Sequence, residues 1–358
     1  MKIVIVNQHV SDVIGGSEIQ CDLISRELLS RGHEVVYVAP TKSEPQQVVG
    51  EYPYSLCSVN YDAKSISLEV LSHQPDIVYW RLNKHGFRHF AKKMYDHAIP
   101  LVFAVSHVND VTPWSAKPAF GVKGRVRMLY WLIKSRYNHG GFKYVDSLTT
   151  LNQDLKDKVK VRYQYHVPNA MVEEVEGVVW PRPYCIWISS IKKSKRPEVY
   201  VDLAKKLSGL GIDFLMVGPI QDDDYLWLEE KSKLPENFHF LGAMTVKQVN
   251  GLLAESLFHV HTCMPEGFGN VFIQAWLQGK ASVSFGYDPS GYLASHELGF
   301  DANEDFNVFC EKAKLLITDV NLRDQAGSRA KNFAKENFSV AKLGANVERV
   351  LLETLERK

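Results

Sequence analysis

Short β-branched runs alternate with helix-length amphipathic stretches along the whole chain, and they do so in two successive series. Residues 3–6 form an unbroken β-branched run, as expected of a strand buried on both faces. A polar stretch with Gly15 and Gly16 follows, then a helical stripe of Ile19, Leu23, Ile24 and Leu28 that Gly32 ends, then a strand at 35–38. This is a βαβ unit. Ser17 as cap with Gln20 reaching back matches a capping box. Residues 40–63 read as irregular. Beyond them the first series predicts helices at 64–73, 86–97, 122–136 and 152–159 between strands at 77–80, 101–105, 145–150 and 163–167.

Residues 171–183 change character: Glu173, Glu174 and Glu176 precede Gly177, with Pro181 and Pro183 beyond, which reads as a linker. The second series predicts strands at 185–189, 212–217, 238–241, 257–260 and 281–285. Arg196-Pro197-Glu198 opens its first helix, with proline early in the first turn. Further helices are expected at 223–233, 246–254, 305–319, 321–336 and 340–356. Two such series imply an α/β protein of two doubly wound, Rossmann-like domains facing a cleft, a favoured place for a ligand. The expected division is 1–170, 171–338 and a final helical segment 339–358.

At 358 residues the chain is long enough for two ordinary cores. A net charge of +1 gives no global electrostatic reason to bind nucleic acid, and none is expected as a partner. The five cysteines are odd in number, scattered and without metal-ligand spacing, which fits a reducing compartment and no metal site. No signal peptide is read at the N-terminus, and no apolar run approaches the roughly 20 residues that span a bilayer. The expectation is a cytoplasmic protein whose membrane contact, if any, is peripheral on the inner face.

The candidate site is the stretch 265–276. It sets Glu266, Gly267, Phe268, Gly269 and Asn270 between a strand end and an apolar helix that carries Gln274 one turn later. Glycines let backbone N–H groups approach a ligand, and a helix start aims N–H groups at an anion. Glu266 can accept hydrogen bonds from sugar hydroxyls, and Gln274 shares the face of Asn270. An anion cradle between polar groups suits a nucleotide sugar; an ordinary strand-to-helix turn with a capping asparagine is the alternative. Gly15 and Gly16 present N–H groups to a phosphate or an acceptor, or serve only the turn. The G-x-G-x-x-G of dinucleotide binding is absent. His107 follows a strand end, where α/β sheets bind ligands, and is a candidate general acid/base or sugar ligand, with Asp110 nearby.

Residues 111–145 contain no Asp or Glu but carry Lys117, Lys123, Arg125, Arg127, Lys134, Arg136 and Lys143. On a helix at 122–136, Val126, Leu129, Tyr130 and Ile133 form one stripe with cations on both sides. Two readings stand: a core-facing helix with solvated basic edges, or a surface that meets anionic lipid headgroups or a lipid-diphosphate acceptor.

The order of these motifs resembles the GT-B fold, and the motifs themselves resemble retaining glycosyltransferases of family 4, over nearly the whole chain. Glu266-Gly267-Phe268-Gly269 through Gln274-Ala275-Trp276 resembles that family's signature of two glutamates eight positions apart, with Gln274 in the second place, as in a bacterial subgroup. Residues 277–284 resemble its continuation, Gly16 its N-terminal glycine-rich loop, and Val167-Pro168-Asn169 the P-N of the domain junction. Ile188-Ser189-Ser190-Ile191 followed by Lys195 resembles V-G-R-L followed by lysine, with Ser190 where the family has arginine. Lys192, Lys193 or Arg196 is then the candidate for the missing charge.

The resemblance implies a last helix, 339–358, that crosses back onto the N-terminal domain. It also implies transfer from a nucleotide-diphosphate sugar to a glycan or lipid-linked acceptor with retention of configuration, without a metal or further cofactor, in bacterial surface polysaccharide or glycoconjugate synthesis. Lys195 would neutralise the leaving diphosphate with help from N–H groups near Gly269 and Asn270. Glu266 would position donor-sugar hydroxyls or the oxocarbenium-like centre, Gln274 would bind ribose, and Gly15, Gly16 and His107 would face the acceptor. A nucleotide-sugar epimerase on the same architecture and a non-catalytic scaffold are the rival readings.

Overall fold

The computed structural model describes residues 1–13, 15–43, 52–116, 119, 121–151, 158–264 and 268–357. The chain divides into two compact units, Met1–Asn169 with Val340–Lys358, and Ala170–Ser339.

The first unit is built on seven parallel strands: β1 (Lys2–Val6), β2 (Glu34–Thr41), β3 (Ser55–Asn60), β4 (Ile77–Trp80), β5 (Leu101–Ala104), β6 (Ser147–Thr150) and β7 (Tyr163–His166). Their spatial order is β3-β2-β1-β4-β5-β6-β7. The central β1 pairs on both edges, Ile3 opposite Val35 on one side and Ile77 on the other, and Ile3 through Val6 are fully buried. The crossovers are α1 (Gly16–Ser30), α2 (Ala63–Ser72), α3 (Phe87–Asp96), the single turn α4 (Val108–Val111) and α5 (Gly121–His139). Asp62 caps α2 through its side chain on Lys64 and Ser65 N–H. One face of the sheet carries Trp80, Phe87, Phe90, Phe103 and Phe142 in ring contact.

The second unit is a six-stranded parallel sheet: β8 (Tyr184–Ile188), β9 (Asp213–Val217), β10 (Phe238–Phe240), β11 (His259–His261), β12 (Ser282–Ser284) and β13 (Gly299–Asp301), in the order β10-β9-β8-β11-β12-β13. Its helices are α6 (Pro197–Lys206), α7 (Val246–Glu255), α8 (Asn270–Leu277), α9 (Tyr292–Ser295), α10 (Phe306–Thr318) and α11 (Val320–Asn337). Pro197 opens α6, as its place in the sequence predicts. A Thr245/Gln248 capping box starts α7. Helix α8 buries six of its residues, Phe272 through Leu277, so it is apolar on nearly every side because it is enclosed. The last helix, α12 (Val340–Glu356), belongs to the first unit. It buries Leu343, Val347, Val350 and Leu351, and Glu348 meets Arg31 and His33 of the α1–β2 turn.

Several sequence expectations are corrected. Residues 55–60, expected to be irregular, form β3, an edge strand in which Val59 alone is buried and which therefore lacks the apolar run that announces a strand. β13 is likewise a short edge strand. The helix expected at 223–233 is instead two 3-10 turns, Asp223–Glu229 and Lys231–Lys233. Asp222 takes the N–H of Asp224, and the two buried side chains, Tyr225 and Leu228, stand three residues apart as a 3-10 face requires. The Ser17 capping box does not form. The helix begins at Gly16 behind Gly15, and the Ser17 hydroxyl donates to Glu18 at 2.8 Å. The helix read at 152–159 falls largely on residues outside the described set. The stripe of α5 is not core-facing: Val126, Leu129, Tyr130 and Ile133 are exposed. The expected linker has no helix or strand from 171 to 183, yet Met171 is buried and Asn250 of α7 holds the carbonyls of Val172 and Glu174 at 2.9 Å each.

Candidate functional site

In a doubly wound sheet the ligand crevice lies beyond the carboxyl ends of the strands where their order reverses. In the second unit the chain passes from β8 to β9 on one side and returns through β11 on the other, so the crevice opens between β8 and β11. The loops that leave these two strands carry the sequence-predicted donor residues: Ser190 and Lys195 after β8, and residues 266–270 after β11.

Hydrogen bonds fasten the two loops to each other. Met264 N–H donates to the Ser194 carbonyl at 3.1 Å. The Thr262 hydroxyl donates to the Lys195 carbonyl at 2.7 Å and accepts from the buried Trp187 indole at 2.8 Å. Cys263 sets its thiol against the Ser189 hydroxyl at 3.8 Å. Trp187, fully packed in the core, thereby fixes where the Lys195 backbone sits. From the other side, Gly218 at the end of β9 adopts φ 146°, and a Cβ there would stand 1.8 Å from the Ser189 carbonyl oxygen. Only glycine lets that strand end approach the loop so closely.

Residues 193–195 form one 3-10 turn, with Lys195 half-buried and Lys193 exposed. Arg196 turns into the left-handed region at φ 48° and starts α6. Its guanidinium donates to Glu304 at 2.5 Å and lies over the Phe285 ring. Of the cations that stand near the family arginine's position, Arg196 is therefore already matched with a carboxylate.

On the opposite loop Gly269 takes φ 79° and ψ 88° and caps α8. A glycine cap brings no side-chain oxygen to the first N–H groups of the helix. Asn270 is therefore not a capping asparagine; it is the first helical residue. Phe268 is buried against Trp276, Tyr292 and Phe338, so its ring anchors the glycine turn in the core. Gln274 is buried, and its amide donates to Asn250 Oδ1 at 3.2 Å, which links α8 to the α7 side chain that holds residues 172–174. Glu266 and Gly267 lie outside the described residues.

In the first unit the strand order reverses between β1 and β4. The loop after β1 leads to Gly15 and Gly16. The Glu18 carboxylate folds back over Gly15, where a Cβ would be 2.4 Å from Glu18 Oε2. A carboxylate at the start of α1 disfavours a second anion at this glycine pair. His107, exposed after β5, caps α4: its Nδ1 accepts from Asn109 N–H at 3.1 Å. The neutral ring then carries its proton on Nε2 and can donate there. Asp110 accepts from Ser106 and His107 N–H at 3.0 and 2.8 Å, and burial raises its pKa.

Two residues of this crevice escaped the sequence reading. His9, two per cent exposed, lies just past β1 amid the rings of Tyr37, Tyr52 and Tyr54. Its Nδ1 accepts from Ser11 N–H at 3.2 Å, its Nε2 reaches Tyr54 at 2.9 Å, and Tyr54 donates to Asp22 at 2.5 Å. Burial lowers the pKa of His9. The strand-end position that singles out His107 applies equally to His9. Arg81, just past β4, donates to Asn169 Oδ1 at 2.6 Å and Ser106 Oγ at 3.2 Å, which gives the P-N motif a structural reason. Among the described residues, Cys57, Glu69 and His73 also bring metal-ligating atoms within 4.8 Å of one another, at the edge strand β3 and away from either strand-order reversal.

Residues 182–319 match the model of a family described as glycosyl transferases group 1. No curated protein sequence matches the chain. Similar solved structures span it end to end. HepE of Anabaena, crystallised with UDP and glucose, is 16% identical with a TM-score of 0.73, over 99% of this chain and 100% of HepE. Sucrose-phosphate synthase of Thermosynechococcus elongatus is 11% identical with a TM-score of 0.77 over all of both chains. WaaG, a glycosyltransferase involved in lipopolysaccharide biosynthesis, is 16% identical with a TM-score of 0.68 over 98% of each chain. The fold is that of GT-B-type glycosyltransferases, two Rossmann-like parallel-sheet domains.

Proposed function

We propose that this chain is a group 1 glycosyltransferase that moves a sugar from a nucleotide-diphosphate sugar to a glycan or lipid-linked acceptor, with retention of configuration and without a metal. The observation that carries the proposal is the fastening of the β8–α6 loop to the β11–α8 loop at the strand-order reversal of the second unit. The first of these loops carries Lys195, the second leads to the glycine-capped start of α8, and the family match covers both loops. The UDP and glucose bound to HepE are of the ligand class such a site accepts.

When the bond from the anomeric carbon to the diphosphate breaks, negative charge grows on the departing phosphate. In this reading the Lys195 ammonium and the first N–H groups of α8 receive that charge, and interactions that strengthen in the transition state raise the rate. Ser190 has no charge to add, and Arg196 shares its own with Glu304. Glu266 orients hydroxyls of the donor sugar or faces the oxocarbenium-like centre. Gln274 meets ribose as an uncharged hydrogen-bonding group, held by Asn250. On the acceptor side, His107 acts as an Nε2–H donor to a sugar oxygen rather than as a base, because its other nitrogen is occupied. Gly15 and Gly16 meet acceptor hydroxyls. WaaG's role in lipopolysaccharide biosynthesis is consistent with a surface-glycan acceptor at the cytoplasmic face.

Lys195→Ala and Glu266→Ala should each lower transfer by about 100-fold or more, the scale of losing one transition-state charge partner, while circular dichroism remains native. Full activity in both variants overturns the site assignment. Donor consumption without any acceptor, followed by NMR, would instead assign an epimerase. A chain that binds neither UDP nor GDP is a scaffold.

A further inference from the structure

Helix α5 is mounted with its apolar face outward. Val122, Val126, Leu129, Ile133 and Tyr137 recur at the spacing of one helical face, joined by Tyr130, and all six are between 55% and 81% exposed. The face turned to the protein carries Gly124, Met128, Leu132, Ser135 and Asn138, a mixed and only partly buried set. Asn138 is its one buried residue, Gly124 rests on Ala119, and Ser135 bonds with Lys84, Ser115 and the Pro113 carbonyl. Helices of soluble domains are mounted the other way round.

Cations border the stripe on both edges, Lys123, Arg127 and Lys134 on one and Arg125 and Arg136 on the other, and no carboxylate occurs from 111 to 145. Arg88 stacks on Tyr137 at 4.4 Å, and Lys134 lies over Trp131 at 5.0 Å. Trp114, at the approach to the helix, is 56% exposed.

We infer that α5 lies flat in an anionic bilayer surface, its Val122–Tyr137 stripe inserted among the acyl chains and its flanking cations among the headgroups. An apolar stripe edged by Lys and Arg, with Trp and Tyr at the boundary, is the pattern of an interfacial helix. None of the described helices is long and apolar enough to cross a membrane, so the contact is in the plane. A second copy of this chain is a poor occupant, because two such faces would set cations against cations. The inference is independent of the transferase reading, since vesicle binding needs no donor, and a failure of one leaves the other standing.

The test is flotation of the full chain with vesicles of phosphatidylcholine alone or with phosphatidylglycerol, at low and high salt. The wild type should float with the anionic vesicles at low salt and remain behind with the neutral ones. Arg125→Gln, Arg127→Gln and Arg136→Gln combined should weaken partitioning by about a hundredfold, since each basic residue near an anionic surface contributes roughly fivefold. Leu129→Asn with Ile133→Asn should abolish it at every salt concentration. These positions are exposed, so the thermal unfolding midpoint of each variant should match that of the wild type. The inference is overturned by a wild type that does not float with anionic vesicles, or by variants that float as it does. It is equally overturned by a concentration-dependent mass in light scattering that Leu129→Asn with Ile133→Asn removes, which would assign the face to a second copy.

Discussion

Gln274, which the proposed donor site assigns to ribose, also serves the fold. Its amide donates to Asn250, which is fully buried and in turn holds the carbonyls of Val172 and Glu174. Asn250→Ala strands the buried Gln274 amide and removes the donor from two part-buried carbonyls. It should cost about 2–3 kcal/mol, seen as a lower urea midpoint with an unchanged slope, since each unpaired buried polar group costs about 1–3 kcal/mol. A midpoint equal to the wild type's would mean that residues 172–174 do not depend on this side chain. Legibility from sequence follows the same line. The Gly269 turn and the Pro197 helix start are local, and their chemistry is visible in the residues themselves. The Arg81–Asn169 bond joins residues 88 apart and the His9–Tyr54 bond residues 45 apart, and no local pattern announces either. The role of Arg196 was open in the sequence because Glu304 is 108 residues away.

Among the elements, α5 divides what periodicity reveals from what it hides. The stripe was plain in the sequence; its direction was not, because a period says which residues share a face and nothing of what that face meets. The end of α5 also gives a pH dependence. Burial, with Lys84 and Arg136 nearby, lowers the His139 pKa from 6.5 to about 4. As pH falls through that window the unfolded chain takes up a proton that the folded chain refuses. Stability therefore falls from about pH 6.5 to about pH 4 and the loss levels off below. His139→Gln should flatten that part of a stability-against-pH curve measured by urea unfolding; an unchanged slope would assign the dependence to other groups. The strands teach the same lesson as α5. β1 and β4 are buried on both faces and read as continuous apolar runs, whereas β3 and β13 sit at sheet edges and carry little of that signal.

At the scale of the whole molecule, two consecutive β/α series were legible because each strand and helix carries its own period, and the parallel sheets follow from their alternation. The return of α12 to the first unit is a long-range fact. Leu343, Val347, Val350 and Leu351 are buried there, and Ser147 meets Thr354 at 2.7 Å across 207 residues. Removing residues 340–358 uncovers those four side chains' sites. At roughly 1.5–3 kcal/mol each the loss is about 6–12 kcal/mol, comparable to the entire stability of a domain. The truncated chain should be insoluble or lose the cooperative unfolding of the first unit; a soluble product that keeps that transition would show that α12 is dispensable.

The proposed donor site is where these scales meet, because Trp187 in the core, Thr262 at a strand end and the Lys195 backbone form one hydrogen-bonded line. The most direct measurement is calorimetric titration of UDP and GDP into the wild-type chain and Lys195→Ala. A diphosphate site between the β8 and β11 loops predicts saturable binding of at least one nucleotide, weakened by about tenfold or more when the lysine is removed, the cost of one charge-assisted contact. Absence of binding by both nucleotides, or equal affinity in the variant, would contradict it.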